Sequence, residues 1–481
     1  MKRAPNLGRN AASLVLVVGL VAVGVIAISA LVAGQAAPQG QVTFTKDIAP
    51  ILQRTCQNCH RPNGGLAPMA LTTYEEVRPW AKAMKQRTSL REMPPWFLDK
   101  TVGIQQFKDD ISLSDAEIAT IASWVDAGAP RGNPADMPPP RQFADTNAWS
   151  IGEPDLIVNS PLQTVKAVGG DFHSPFVGSS PTGLTEDRWI AAWQVKEFRP
   201  GETQRSSGRP GLGNNYFVLH HQGISNLPPS EQGNGGGEAG DDTQRLGALS
   251  YTYEVGQNAQ FVADNVGIAL KAGSSIYFNG THQHSIGKEV KFHVQVGFKL
   301  HPKGYVPKYP HGSTGTGGGF LLSPRTGLGA ELDIPGNTDN VRFDRFQVLQ
   351  RAARIVTFEP HLHASGKRMC LEAIYPSGII ETLNCAGYNH AWVKTYTYQD
   401  DVAPLLPKGT TLHTIGWYDN SAKNPRVVDP RNWRGVGHRS IDDMIILLNQ
   451  YVAYTDEEFK AEVAARAAKQ QPRKVTTTAQ R

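Results

Sequence analysis

Between residues 149 and 454 the sequence alternates short apolar, β-branched runs with Gly, Asn, Pro and Asp, and this pattern constrains the fold more than any other feature. Tyr216-Phe217-Val218-Leu219, Val290 to Leu300 and Ile355-Val356-Thr357-Phe358 read as strands, because such side chains fit a pleated, half-buried surface. Sustained helical periodicity is scarce in this region. It is too long for one β-sandwich and suits two in tandem. Glycine-rich interruptions at 233–237 and 315–319 read as surface loops, the second near the junction of the two sandwiches.

Upstream, residues 42–129 read as helices joined by loops. Ser114-Asp115-Ala116-Glu117 has the form of a capping box, and Ile118, Ile121, Ala122 and Val125 fall on one helical face. Gly128 and Pro130 end that helix. Residues 133–141, centred on Pro138-Pro139-Pro140, form a polar, semi-rigid linker. At the other end, Thr455-Asp456-Glu457-Glu458 caps a short polar helix, and 470–481 is expected to be disordered.

The first forty residues are a targeting segment. Lys2, Arg3 and Arg9 make a basic start, followed by an uncharged stretch from 11 to 33. That length approaches the roughly 20 residues that span a bilayer, while small residues at Gly34-Gln35-Ala36 suit cleavage. Both a retained anchor and a cleaved signal remain open. Either places the rest of the chain in the periplasm or on the periplasmic face of the inner membrane, touching the membrane only through this segment. The net charge of +5 on 481 residues is small, and no basic run interleaves with aromatics, so nucleic-acid binding has no support. No Ser/His/Asp arrangement, phosphate loop or nucleotide fingerprint stands out.

Of the four cysteines, Cys370 and Cys385 flank Tyr375-Pro376-Ser377-Gly378, a hairpin turn signal, which sets them opposite each other for a cross-strand disulfide. The other two lie in Cys56-Gln57-Asn58-Cys59-His60. This C-x-x-C-H spacing lets two thiols add to the vinyl groups of a haem while the adjacent histidine ligates iron. A zinc half-site would want a second Cys/His pair nearby, and none occurs before His173. Met93, in Arg91-Glu92-Met93-Pro94-Pro95-Trp96, is the candidate sixth ligand because the prolines stiffen its loop; Met69 and Met84 are alternatives as core filler. The segment resembles class I cytochrome c, which implies one covalent haem c.

Three histidine motifs stand out in the β-rich part: His220-His221, Thr281-His282-Gln283-His284, and His361-Leu362-His363. In an H-x-H on a strand both imidazoles project from one face and can grip one ion. Adjacent histidines point to opposite faces unless a bulge intervenes. Together the motifs resemble the type II copper, ascorbate-dependent monooxygenases, the peptidylglycine α-hydroxylating and dopamine β-monooxygenase family. That family carries two mononuclear coppers on two jelly-roll sandwiches facing across a cleft.

The resemblance implies that His220, His221 and His282 hold one copper, with His284 left open in place of His282. It also implies that His361, His363 and Met444, within Ser440-Ile441-Asp442-Asp443-Met444, hold the catalytic one. A thioether favours the cuprous state, which reacts with dioxygen. Pro360 to Lys367 and Tyr418 to Pro425 share the likeness with bacterial relatives. Two positions depart from the peptide-amidating members: Glu359 stands where they place an arginine, and Leu448 where they place a tyrosine. An amidated-peptide product is therefore not expected.

The expected fold class is multidomain, a small all-α cytochrome c domain followed by two tandem all-β jelly-roll-like sandwiches. Its parts are a signal peptide or anchor (1–37), a cytochrome c-like haem domain (41–132), a Pro-rich linker (133–148), a first copper sandwich (149–330), a second (331–455) and a polar helix with tail (456–481). The expected activity is copper-dependent hydroxylation of a C–H bond in a small organic substrate with dioxygen. Electrons would come from a periplasmic donor through the haem. The alternative is a non-catalytic periplasmic redox or copper-carrying protein.

Overall fold

The computed structural model describes residues 40–62, 67–143, 148–169, 172–201, 218–229, 249–256, 259–310, 312–313, 332–437 and 439–470. The targeting segment, Tyr216-Phe217, both glycine-rich runs and the tail beyond 470 lie outside the described residues. No helix among the described residues is long and apolar enough to cross a membrane.

The N-terminal helices are short: α1 (Ala49–Thr55), α2 (Tyr74–Val77), α3 (Ala81–Ser89) and α4 (Asp115–Asp126). Pro50 opens α1, where its missing N–H costs nothing. Thr73 with Glu76, and Ser114 with Glu117, form reciprocal capping boxes at the starts of α2 and α4. In α4 the fully buried side chains are Ile121 and Trp124, with Ile118 and Val125 packed at the margin. The tryptophan, which a plain apolar count overlooks, centres the cluster with Phe44, Ile48 and Leu52. Residues 133–141 fold back on α1, with Gln53 Nε2 donating to Pro139 O (3.0 Å) and Arg141 Nη1 to Gln53 O (2.6 Å).

The first β unit is built on β1 (Leu156–Asn159), β2 (Gln163–Val165), β3 (Phe172–Pro181), β4 (Arg188–Phe198), β5 (Leu219–Leu227), β6 (Ser250–Glu254), β7 (Ser275–Gln283) and β8 (Val290–Leu300). β8 pairs antiparallel with β1, β2 and β4 in one sheet, and β3, β7, β5 and β6 follow one another in the second. Val290, Phe292, Val294, Val296 and Phe298 of β8 turn inward at every second position, as the pleat requires. They meet Ile224, Ile276 and Phe278 from the other sheet in a single core.

The second β unit carries β9 (Thr338–Val348), β10 (Ala352–Ile355), β11 (Gly366–Ile374), β12 (Ile380–Gly387), β13 (Thr411–Asn420) and β14 (Tyr451–Tyr454). One sheet runs β9, β13, β11, β12, and β14 pairs with β10 in another. The β11–β12 hairpin turns at Gly378, whose φ of +83° suits glycine. Cys370 and Cys385 face each other across it and are disulfide-bonded. A final helix, α5 (Asp456–Gln470), starts at a Thr455/Glu458 cap and anchors Arg466 on the carbonyl of Ala403.

The expected fold class does not hold. Among the described residues the protein is mostly β-sheet, distributed over several small sheets with short helices, and no separate all-α cytochrome c domain is seen. The physical reason lies between α3 and α4, where Trp96, Leu98 and Phe107 leave the helical cluster and enter the core of the second β unit. Leu98 bridges to Ala386 and Phe107 to Tyr398, and Ile104 N donates to Leu383 O (2.9 Å). The Trp96 ring stands edge-on to Tyr396 with centroids 4.9 Å apart. Gly103 runs so close to this hairpin that a Cβ there would clash with the Leu383 carbonyl oxygen. Apolar residues alone do not reveal which core they will join.

Phe107→Ala is therefore expected to destabilise the second β unit by about 3–5 kcal/mol, the usual cost of an aromatic-sized cavity. Denaturant unfolding followed by a β-sheet signal measures it. Unchanged unfolding of the sheets would mean that the helical segment is independent.

Candidate metal centre

His220 and His221 are neighbours on β5, and regular alternation would send them to opposite faces. The β5–β7 ladder shifts register on both sides of His221, and these bulges turn both imidazoles into one cluster, ring centroids 5.8 Å apart. His221 sits opposite His282 of β7 on one side and Glu254, the last residue of β6, on the other. Nitrogen atoms of His220, His221 and His282 lie within 4.8 Å of one another, and all three residues are buried. His284 joins the group, 4.8 Å from His282 and 5.2 Å from His220 by ring centroid.

The H-x-H motif comes from the second β unit. His361 lies on a two-residue strand, Pro360–His361, paired with Ile446–Leu447, and His363 follows just beyond it. Met444 lies two residues before Ile446, the partner of His361, so this ladder draws the acidic-Met segment alongside the motif. Three further bonds hold it there. His363 N donates to Asp443 Oδ1 (3.0 Å), Ser365 Oγ donates to Asp443 Oδ2, and the Tyr418 hydroxyl donates to Met444 O (2.6 Å). Burial pushes the Asp443 carboxyl up to about 6.

The two sets adjoin. His221 and His361 have centroids 6.3 Å apart, and His390 spans the seam at 4.4 Å from His220 and 5.5 Å from His363. Ser440 Oγ lies 3.2 Å from His390 Nε2 and 3.3 Å from His282 Nε2. The seam itself is closed by Val393 N donating to Val255 O (3.0 Å) and Gln450 Nε2 to Gln260 Oε1 (2.7 Å). His390 and Glu254 belong to this centre although neither sits in a histidine motif. Only their position in the fold reveals them.

Tautomers follow from the partners. His363 Nδ1 faces the carbonyls of Arg439 (3.0 Å) and Asp442 (3.3 Å), which only accept, so Nδ1 carries the proton. Its Nε2 keeps a lone pair with no hydrogen-bond partner. His220 likewise donates Nε2–H to the His390 carbonyl (2.8 Å), leaving Nδ1 as the lone-pair atom. Buried imidazoles held in one tautomer by carbonyls are what a metal site provides. A soft or borderline ion such as copper fits this donor set, and harder cations, which favour all-oxygen shells, do not. Burial holds His220 down at about 3, and pushes His221, His363 and His390 well below the ordinary imidazole range, with neighbouring imidazoles adding to the effect.

At the C-x-x-C-H motif, Cys56 and Cys59 follow α1 and are not bonded to each other. Burial pushes the Cys56 thiol up to about 11 and raises Cys59, against which Lys394 and Arg61 act. His60 Nδ1 lies 3.2 Å from Met69 O, so it carries the proton and leaves Nε2 for a metal. These residues fit a covalently attached haem. Met93 is 43% exposed, while Met84 is buried in the helical core. Glu359, one of the two departures, is buried and accepts from Thr395 Oγ1 (2.7 Å); Leu448 is buried at 5% exposure.

No family model and no curated protein matches this sequence. Among solved structures it is similar to recombinant N-glycanase F, with 9% identity and a TM-score of 0.24 over 63% of this chain and 96% of that one. A peptide-N(4)-(N-acetyl-β-D-glucosaminyl) asparagine amidase gives 10% identity and 0.24 over 62% and 96%. Overlaps at that level carry no argument about fold or activity.

The lowered imidazoles stay neutral in the fold and gain protons on unfolding, so the unfolded chain binds more protons below about pH 6.5. Stability of the metal-free protein should be flat between about pH 7 and 8 and fall as pH drops below about 6.5. The loss is about 1.4 kcal/mol per pH unit for each such histidine, ending for His220 near its folded value of about 3. Denaturant titrations between about pH 5 and 8 test this. A stability independent of pH there would mean the imidazoles are not buried neutral.

Proposed function

We propose that the chain is a copper-dependent monooxygenase that hydroxylates a C–H bond with dioxygen and receives electrons through a covalently bound c-type haem. The observation that carries this reading is the convergence of His220, His221 and His282 with His361 and His363 in one buried cluster. When bound, copper supplies the one-electron and dioxygen chemistry that amino-acid side chains lack. His220, His221 and His282 would hold one ion. His361 and His363 would hold another, with Met444 as the thioether that favours the cuprous state.

The residues around them do defined work. Carbonyls of Arg439, Asp442 and His390 hold protons away from the donor nitrogens, and Ser440 ties His282 to His390. Burial excludes water from the centre, and electrostatic effects are stronger there than in solvent. The loop that carries His390 also carries Lys394, whose ammonium acts on Cys59 and lies 5.7 Å over the Trp96 ring. The electrostatic influence of Lys394, four residues along from His390, on Cys59 is consistent with an internal electron supply.

A second reading has an observation in its favour. His220, His221, His282, His361 and His363 expose at most 7% of their surface, a closure that suits a copper-carrying or electron-transfer protein without a substrate cleft. Oxygen uptake stimulated by a candidate organic substrate separates the two. None with any reductant would leave only the carrier.

Periplasmically expressed protein is expected to hold about two coppers and one haem iron per chain. His221→Ala should lower copper to about one without affecting haem, and Cys56→Ala with Cys59→Ala should abolish covalent haem. Metal analysis and a haem stain after denaturing electrophoresis check both. Anaerobic reduction of the haem alone should bleach the cupric signal; coppers that stay oxidised would end the relay.

A further inference from the structure

An H-x-H pair presents both imidazoles to one face only while the backbone at its middle residue stays extended. The strand that carries His361 is two residues long and ends there, so Leu362 and His363 lie beyond its ladder with Ile446–Leu447. Met444 lies beyond the same end of that ladder. Carbonyls there need donors from elsewhere. Leu362 O accepts from the Tyr388 hydroxyl, and Met444 O from the Tyr418 hydroxyl (2.6 Å). His363 O accepts from Gly366 N (2.9 Å), Ala364 O from Asn424 Nδ2 (3.2 Å) and Ser365 O from Asp419 N (2.7 Å).

Two of these donors are phenols, and both stand on the four-stranded sheet. Tyr418 belongs to β13, paired with Val341 of β9 on one side and Gly366 of β11 on the other. Its ring is held edge-on to Phe343, with centroids 5.8 Å apart. Tyr388 directly follows β12, and its N–H donates to Lys367 O of β11 (2.8 Å). Both rings are buried. Burial also raises both phenols well above their ordinary value, so each remains a donor at any working pH. One hydroxyl thus ties the middle of the H-x-H motif to the sheet, and the other ties the thioether residue to it. Deleting either leaves a carbonyl without its donor.

We propose that Tyr388 and Tyr418 are positioning residues for the copper of His361, His363 and Met444, setting the histidine pair and the thioether relative to each other through their backbone carbonyls. The inference rests on the copper reading and deepens it at one point. The three donors take their spacing from one sheet, and the loops that carry them do not set it. A thioether kept in place favours the cuprous state, so the two hydroxyls act on the metal's redox preference without touching it.

The test uses the full-length protein loaded with Cu(I), its affinities measured by competition with a cuprous chelator and its sulfur ligation by X-ray absorption at the copper edge. Tyr398→Phe is the control, because the Tyr398 hydroxyl donates to Asn384 Oδ1 (2.7 Å) in the same β unit and reaches no ligand segment. Tyr388→Phe should weaken one of the two ions by about tenfold and leave the other unchanged. In the His221→Ala background, the weakened ion should be the one that remains. Tyr418→Phe should diminish the sulfur contribution and lower the reduction potential of the same ion, and it carries the test alone if Tyr388→Phe does not fold. Wild-type affinities and full sulfur ligation in the folded variants overturn the proposal. So do losses that Tyr398→Phe reproduces, since these would reflect general destabilisation. Fewer than two coppers in wild-type protein, or no sulfur ligand at either, overturns the copper reading itself, a separate failure.

Discussion

Everything at the centre of this protein depends on burying a cluster of neutral imidazoles and one carboxylate where two β units meet. Polar groups withdrawn from water are costly unless their hydrogen bonds are replaced. Here the replacements are crossed between the units. The His390 carbonyl, from the second unit, accepts from His220 in the first, and Ser440 of the second contacts His282 in the first. His220 and His282 of the first unit thus take partners from the second, which ties the cluster to the seam.

The local devices that build the cluster are ordinary ones. Bulges on either side of His221 break the alternation that would have separated it from His220. A two-residue strand pairing sets Pro360–His361 against Ile446–Leu447, and backbone carbonyls choose the tautomer of His363. The order of the sheet does the rest, by lining Glu254, His221 and His282 across three strands. The family resemblance implies two sites facing across a cleft. In this protein the two histidine sets are in contact, with His221 and His361 at 6.3 Å.

The helical segment shows the same interdependence. It has a core of its own around Phe44 and Trp124, yet its connecting loop gives Trp96, Leu98 and Phe107 to the second β unit. Lys394, from the β side, acts electrostatically on Cys59 of the C-x-x-C-H loop.

Short-range features were legible without coordinates. The Ser114–Glu117 capping box, the strand Val290–Leu300 with its period of two, and the Cys370–Cys385 pairing across a hairpin follow from rules that act over a few residues. The histidine motifs were visible for the same reason. What lay beyond the sequence were relations between distant elements. Trp96 and Phe107 are apolar in any reading, and packing alone assigns them to the β core. His390 carries no motif, and Glu254 is one acidic residue among many until sheet register sets it between His220 and His361. Pattern along a chain fixes which face a side chain takes; which face it then meets is settled by long-range pairing and by shared burial.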